Sequence, residues 1–139
     1  RMGYVWAYGS CSSKNAANFL LKVIDYFPFP IKAINTDNGP EYLLNFHAKC
    51  EEMGIPHYFN TPHTPTMNSR AERLIQTAEY EYFNYQDDLL PTLKEINRRC
   101  EMFNDKYNNK RFHAAIHYQT PSEYVTNYLA QRGGQPFSI

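Results

Sequence analysis

The chain has 139 residues, with 14 basic and 14 acidic side chains and no net charge. That length allows one domain with its own core, and neither half carries the one-sided charge that would by itself mark a polyanion binder. Its three cysteines, Cys11, Cys50 and Cys100, are odd in number and far apart; this excludes a disulfide framework or a zinc spacing and suits reduced thiols in a cytoplasmic protein, while the lack of any long apolar run excludes a membrane span.

The chain opens on Tyr4-Val5-Trp6-Ala7-Tyr8, a run of β-formers that reads as a strand closed by Gly9-Ser10. Ser12 or Ser13 caps a helix running to about Phe27, with Ala16, Phe19, Leu20, Val23, Ile24 and Phe27 on one face and Asp25 off it in solvent. Pro28 and Pro30 end that helix, and Ile31–Thr36 alternates as a short strand. Asp37-Asn38-Gly39 then turns the chain, and Pro40 sits where a helix begins. Glu41 to Met53 repeats its apolar residues at helical spacing, with Gly54 as the stop, and Ile55–Asn60 reads as a third short strand. Thr61-Pro62-His63-Thr64-Pro65-Thr66-Met67 is a loop leading to Asn68 as N-cap. One long helix follows to about Asp88, with Ala71, Leu74, Ile75, Ala78, Tyr82 and Tyr85 facing the core. After the break at Leu89-Leu90-Pro91, Leu93, Ile96, Cys100, Phe103 and Tyr107 mark a second long helix. Thr120-Pro121-Ser122-Glu123 starts the last helix with a capping box and ends near Gly133-Gly134. The order β-α-β-α-β followed by helices favours an α/β fold with a locally parallel sheet.

Two carboxylates stand out. Asp37 lies at the C-terminal end of a strand, where open α/β sheets place their ligands. Glu72 lies in the first two turns of its helix, about a quarter turn from the centre of the apolar stripe. Carboxylates gathered at one point either share protons or hold a cation, and oxygen ligands without clustered His or Cys favour Mg²⁺ or Mn²⁺ over zinc. The same residues also suit a purely structural turn and a helix start that favours an acid.

The stretches Thr36-Asp37-Asn38-Gly39-Pro40-Glu41-Tyr42, Gly54-Ile55-Pro56-His57 and Thr61-Pro62-His63-Thr64-Pro65-Thr66-Met67-Asn68-Ser69-Arg70-Ala71-Glu72-Arg73 resemble the catalytic core of retroviral-type integrases and bacterial insertion-sequence transposases. Downstream, Phe103-Asn104-Asp105-Lys106-Tyr107-Asn108, Lys110-Arg111-Phe112-His113 and Gln119-Thr120-Pro121-Ser122-Glu123-Tyr124 resemble the tail of the bacterial members. Thirty-four residues separate Asp37 from Glu72, close to the spacing of that family.

The resemblance implies a ribonuclease H-like fold and a D-D-E triad holding two Mg²⁺ or Mn²⁺ ions, with Asp37 as its second acid and Glu72 as its third. It implies cleavage of double-stranded DNA ends and transfer of the 3′-hydroxyl to a target phosphodiester, in a DNA-associated bacterial protein that works as a homo-oligomer. Asn38, His63, Thr64, Asn68 and Arg73 are the DNA-contact candidates; Asn38 also suits a tight turn, His63, Thr64 and Asn68 ordinary loop chemistry, and Arg73 an ion pair with a nearby acid.

Two departures stand beside the likeness. Ser69 replaces the family's usual glycine, and no strand bearing a first acid precedes Tyr4. Residues 1–139 are thus expected to form a core lacking the family's first two strands, with three short strands and about five helices. Such a chain would bind at most one ion, would not catalyse strand transfer alone, and could satisfy its open strand edges by strand exchange with a second copy. The rival reading is a non-catalytic remnant that binds DNA or self-associates. A nuclease acting on RNA–DNA hybrids is disfavoured by the Thr/Pro loop and the downstream motifs. His113 and His117 are four apart but lack a third ligand for a metal.

Overall fold

The computed structural model of the chain describes residues 2–62, 64, 66, 68–83 and 92–133. Within them lie five α-helices and one pair of strands: α1 Ser13–Tyr26, β1 Ile34–Thr36, α2 Leu44–Glu52, β2 His57–Phe59, α3 Ser69–Ala78, α4 Leu93–Asn109 and α5 Pro121–Gln131. The strands pair in parallel, Ile34 with His57 and Thr36 with Phe59. The α/β class and the helix count follow the sequence reading.

Helix α1 starts where Ser12 accepts from the Asn15 N–H at 3.1 Å. It packs on α2, where Leu20, Phe46 and Cys50 form a buried cluster with Ile34 and Tyr42 against it. The expected helix over Glu41–Met53 is interrupted. Pro40–Tyr42 makes one 3-10 turn, and the chain reorients at Leu43 and Leu44 before α2 begins. Leu44 takes φ +43 and is 79% exposed, so it leaves the apolar face assigned to it. Ser13 spans the break, donating its hydroxyl to the Leu43 carbonyl and accepting from the Phe46 N–H.

The stretch Tyr4–Tyr8 is extended, yet it joins no sheet among the described residues. Its partner is a row of asparagines on α4. Gly3 N–H donates to Asn108 Oδ1 at 2.9 Å while Asn108 Nδ2 donates back to Gly3 O at 2.7 Å. Asn104 binds Val5 in the same two-way manner, at 2.8 and 3.0 Å, and Asn97 binds Ala7 at 2.9 and 3.1 Å. A primary amide carries one acceptor and one donor group, as a peptide unit does. Three side chains therefore stand in for a neighbouring strand. Residues 3, 5 and 7 point their backbone groups one way, so those of Tyr4, Trp6 and Tyr8 point the other, and no hydrogen bond to these is found among the described residues. On that segment Tyr4 packs on Phe19 and Tyr26, with ring centroids 5.7 and 4.9 Å apart.

Helix α3 departs from its predicted stripe. Ala78 is buried and Leu74 half-buried, but Ala71 is exposed and Ile75 is 51% exposed. The cause is where α3 is held: the segment at Gly3 comes up against Leu74, while nothing among the described residues covers the Ala71 and Ile75 side. A π-turn over Glu79–Phe83 follows α3; Tyr85, Asp88 and the break at Leu89-Leu90-Pro91 lie outside the described residues. Helix α5 begins as read, with the Thr120 hydroxyl accepting from the Glu123 N–H and the Glu123 carboxylate accepting from the Thr120 N–H. His117 and Tyr118 both take φ +57, so His113 and His117 share no helical face.

Candidate active site

The site is built where the two strands end. Asp37 follows β1 directly and is exposed. Its Oδ1 accepts from the Gly39 N–H at 2.9 Å, a side-chain-closed turn, which is why Asp-Asn-Gly does not open a hairpin here. The Glu41 carboxyl lies over Gly39, where a Cβ would sit 2.6 Å from Oε2. Burial, and after it the charges of Asp37 and Glu41, raise the Tyr42 hydroxyl above its ordinary pKa.

Asn60, just past β2, joins this turn to the helix of Glu72. Its N–H donates to Thr36 O at 2.7 Å, extending the strand pairing. Its carbonyl accepts from Asn38 Nδ2 at 3.0 Å. Its own Nδ2 donates to Asn68 Oδ1 at 2.6 Å, and Asn68 O accepts from the Glu72 N–H at 3.0 Å. Three asparagines thus tie the Asp37 turn to the first turn of α3. Asn68 begins α3 as its N-cap residue without a side-chain cap bond, its amide oxygen being engaged by Asn60. Asn60 is 6% exposed and its Oδ1 is buried without a partner. Sequence reasoning missed it; the only signal was its place immediately after a strand that runs parallel to β1.

A second chain of contacts reaches Asp37 from behind. Thr36 Oγ1 donates to the Asp37 carbonyl at 2.9 Å and lies 2.9 Å from His57 Nε2. With its one proton spent, the hydroxyl accepts from His57, so His57 is protonated on Nε2. His57 Nδ1 is then the acceptor in its 3.0 Å contact with His47 Nδ1, and His47 Nε2 lies 3.3 Å from Glu51 Oε1. Burial, then the charge of His47, push His57 below the ordinary histidine value. A base whose folded pKa is depressed binds its proton more readily when unfolded. Stability is therefore undiminished above about pH 6.5 and falls as pH drops from there through the folded value. Melting temperature is expected to fall between pH 7.5 and 5.5, and the fall is expected to shrink in His57→Gln; equal slopes in both proteins would refute this.

Of the predicted DNA contacts, Asn38 and Thr64 are exposed, Asn68 is half-buried and committed to Asn60, and Arg73 is exposed on α3. His63 lies outside the described residues. Asp37 and Glu72 are hard oxygen donors on elements tied together, which suits a hard divalent ion. Their number is short: among the described residues no three His, Cys, Asp or Glu side chains gather closely enough to hold a metal ion. No helix among these residues is long and apolar enough to cross a membrane.

Comparison with known proteins bears on the family and the fold. The family described as "Integrase core domain" matches residues 53–121, a span that contains Glu72 and begins after Asp37. The chain is 25% identical over 143 residues to "Putative integrase ORF3" of Spiroplasma virus SpV1-C74, covering 91% of the chain and 38% of that protein. It is 27% identical to the insertion element IS476 uncharacterized 39.2 kDa protein of Xanthomonas euvesicatoria, over 77% of the chain and 31% of that protein. The chain thus spans about a third of the length of the curated relatives it matches. In structure it resembles the catalytic core domain of BIV integrase, with a TM-score of 0.65, 20% identity, and 90% and 78% of the two chains covered. A chain in the simian T-cell lymphotropic virus intasome in complex with PP2A regulatory subunit B56 gamma gives the same TM-score at 26% identity, over 81% of this chain and 40% of that one.

Proposed function

Since the chain is a ribonuclease H-like core of the integrase and transposase kind, we propose that residues 1–139 are part of a metal-dependent catalytic core that cuts double-stranded DNA and joins its ends to a target. The observation that carries this reading is the Asn38–Asn60–Asn68 bridge. It couples the turn bearing Asp37 to the helix bearing Glu72 through hydrogen bonds of 2.6 to 3.0 Å. Asp37 and Glu72 would hold Mg²⁺ or Mn²⁺. When bound, such an ion lowers the pKa of a nucleophilic oxygen and stabilises the leaving one. The protein's own contribution is placement. Gly39 N–H fixes one oxygen of Asp37, the other has no hydrogen bond among the described residues, and the asparagine bridge limits how far Glu72 can move from it.

These residues supply two of the family's three acids, so this sequence is expected to hold one ion weakly and to carry out no strand transfer on its own. The open backbone edge at Tyr4, Trp6 and Tyr8 supports a partner copy, with homo-oligomer formation by strand exchange as its route. The same two features favour the second reading, a DNA-binding or self-associating module without catalysis. The test is Mn²⁺ titration of ¹⁵N-labelled protein, reading paramagnetic broadening residue by residue. The catalytic reading expects Asp37–Gly39 and Ser69–Arg73 to broaden together at one point of the titration. Broadening confined to one of these stretches, or lying elsewhere, overturns it.

A further inference from the structure

Two basic clusters far apart in sequence meet in one cavity. Arg70 and Arg73 of α3 and Arg111 and His113 beyond α4 line a cavity of about 330 Å³, with Gly3, Leu74 and Tyr107 among its apolar lining. The fit there is close. A Cβ on Gly3 would lie 2.7 Å from Leu74 Cδ1 and 3.1 Å from Tyr107 Cε1. His113 rests edge-on against Tyr107, centroids 4.7 Å apart, with its Nε2 3.3 Å from Tyr107 O.

The charges do not balance. No acidic residue among the described residues is in the lining. Glu81, carried on the π-turn after α3, is hydrogen-bonded to Arg111 and lies 4.0 Å from Lys106. It aims Arg111 and neutralises it. Arg70 and Arg73 have no ion pair among the described residues. They stand one turn apart at the N-terminal end of α3, where like charges at this spacing repel and the helix dipole disfavours cations. An anion in the cavity would remove both penalties.

At 100° per residue, Glu72 lies roughly 160° around α3 from Arg70 and roughly 100° from Arg73. The cavity is therefore on a different face of the helix from the candidate metal ligand. We propose that it is a second, separate site that takes a backbone phosphate of duplex DNA, held by Arg70 and Arg73 with Arg111 as the fixed third donor. The choice of DNA rests on the integrase reading; the demand for an anion does not. A guanidinium offers paired donors to a phosphate and keeps its charge at any working pH. DNA bound here passes along the flank of α3 remote from Glu72, so α3 carries the metal site and the backbone clamp on different sides.

The experiment is anisotropy of a fluorescein-labelled duplex with the full chain across a salt series. Each phosphate neutralised contributes about −0.9 to the slope of log K against log salt. Arg70→Gln/Arg73→Gln is expected to lower affinity roughly tenfold and flatten the slope by about two. Arg70→Lys/Arg73→Lys is expected to keep the slope. Mn²⁺ broadening at Asp37 is expected to stay as in the parent, and an unchanged amide NMR fingerprint away from α3 shows that the double variant is folded. A Gln variant with the parental affinity and slope overturns the clamp, as does a parent chain that fails to bind the duplex. Because the metal site is read by Mn²⁺ and the clamp by salt, the two proposals fail separately.

Discussion

Asn108→Ala is expected to destabilise the protein by about 2–4 kcal/mol and to lower its melting temperature by on the order of 10 °C. Asn108 is fully buried. Its amide oxygen accepts from Gly3 N–H, and its two N–H groups are shared among Gly3 O, Asn104 O at 2.9 Å and the Tyr26 hydroxyl at 3.0 Å. Truncation removes these contacts together and leaves the Gly3 N–H buried and unpaired, at roughly 1–3 kcal/mol for such a group. Asn108→Asp keeps the acceptor but loses the donor and places a carboxylate against Gly3 O; it is expected to be at least as harmful. Asn97 is only half-buried, so Asn97→Ala is expected to cost about 1 kcal/mol, since water can replace the lost bonds. Chemical denaturation of the three variants checks the order. If Asn97→Ala proved as costly as Asn108→Ala, the asparagine row would not be acting through burial.

Asp37→Asn is expected to weaken Mn²⁺ binding by more than the roughly tenfold to hundredfold that loss of an outer-shell partner costs a metal site. The substitution is nearly isosteric, and its amide oxygen can still accept from the Gly39 N–H, so the turn survives. What it removes is one of two negative charges, and with hard ligands the charge carries most of the affinity. Glu72→Gln is expected to match it. Glu41→Gln is the control: its carboxylate lies over Gly39 on the same turn, and it is expected to change affinity far less. Calorimetric titration separates these outcomes. Equal losses for Glu41→Gln and Asp37→Asn would move the ion from the Asp37–Glu72 pair to the turn alone.

The turn at Asp37 and the start of α5 were legible because their signals are local. Asp-Asn-Gly-Pro encodes a turn within four residues, Thr120-Pro121-Ser122-Glu123 encodes a helix start within four, and both form as written. The parallel pairing of β1 and β2 follows from strands alternating with helices. What stayed hidden depends on distant partners. Tyr4–Tyr8 is extended, as its β-formers imply, but nothing near it says that asparagines 90 to 105 residues later would pair with it. Asn97, Asn104 and Asn108 read locally as polar positions of an amphipathic helix. Asn60 reads as the end of a strand, and its bonding to Asn38 and Asn68 needs three separate segments to converge. The stripe on α3 was misread at Ala71 and Ile75 because periodicity marks an apolar face without saying whether anything covers it. Arg70, Arg73 and Arg111 were visible as two small clusters, and only the fold makes them one.

The asparagine row also has a kinetic side. Among the described residues, Gly3 to Ala7 is fastened by the helix of residues 93–109, so an early segment of this sequence is secured only once a late one has formed. Contacts of such long sequence separation close large loops and slow folding. During that interval the backbone groups of Gly3, Val5 and Ala7 lack their asparagine partners and are open to another strand.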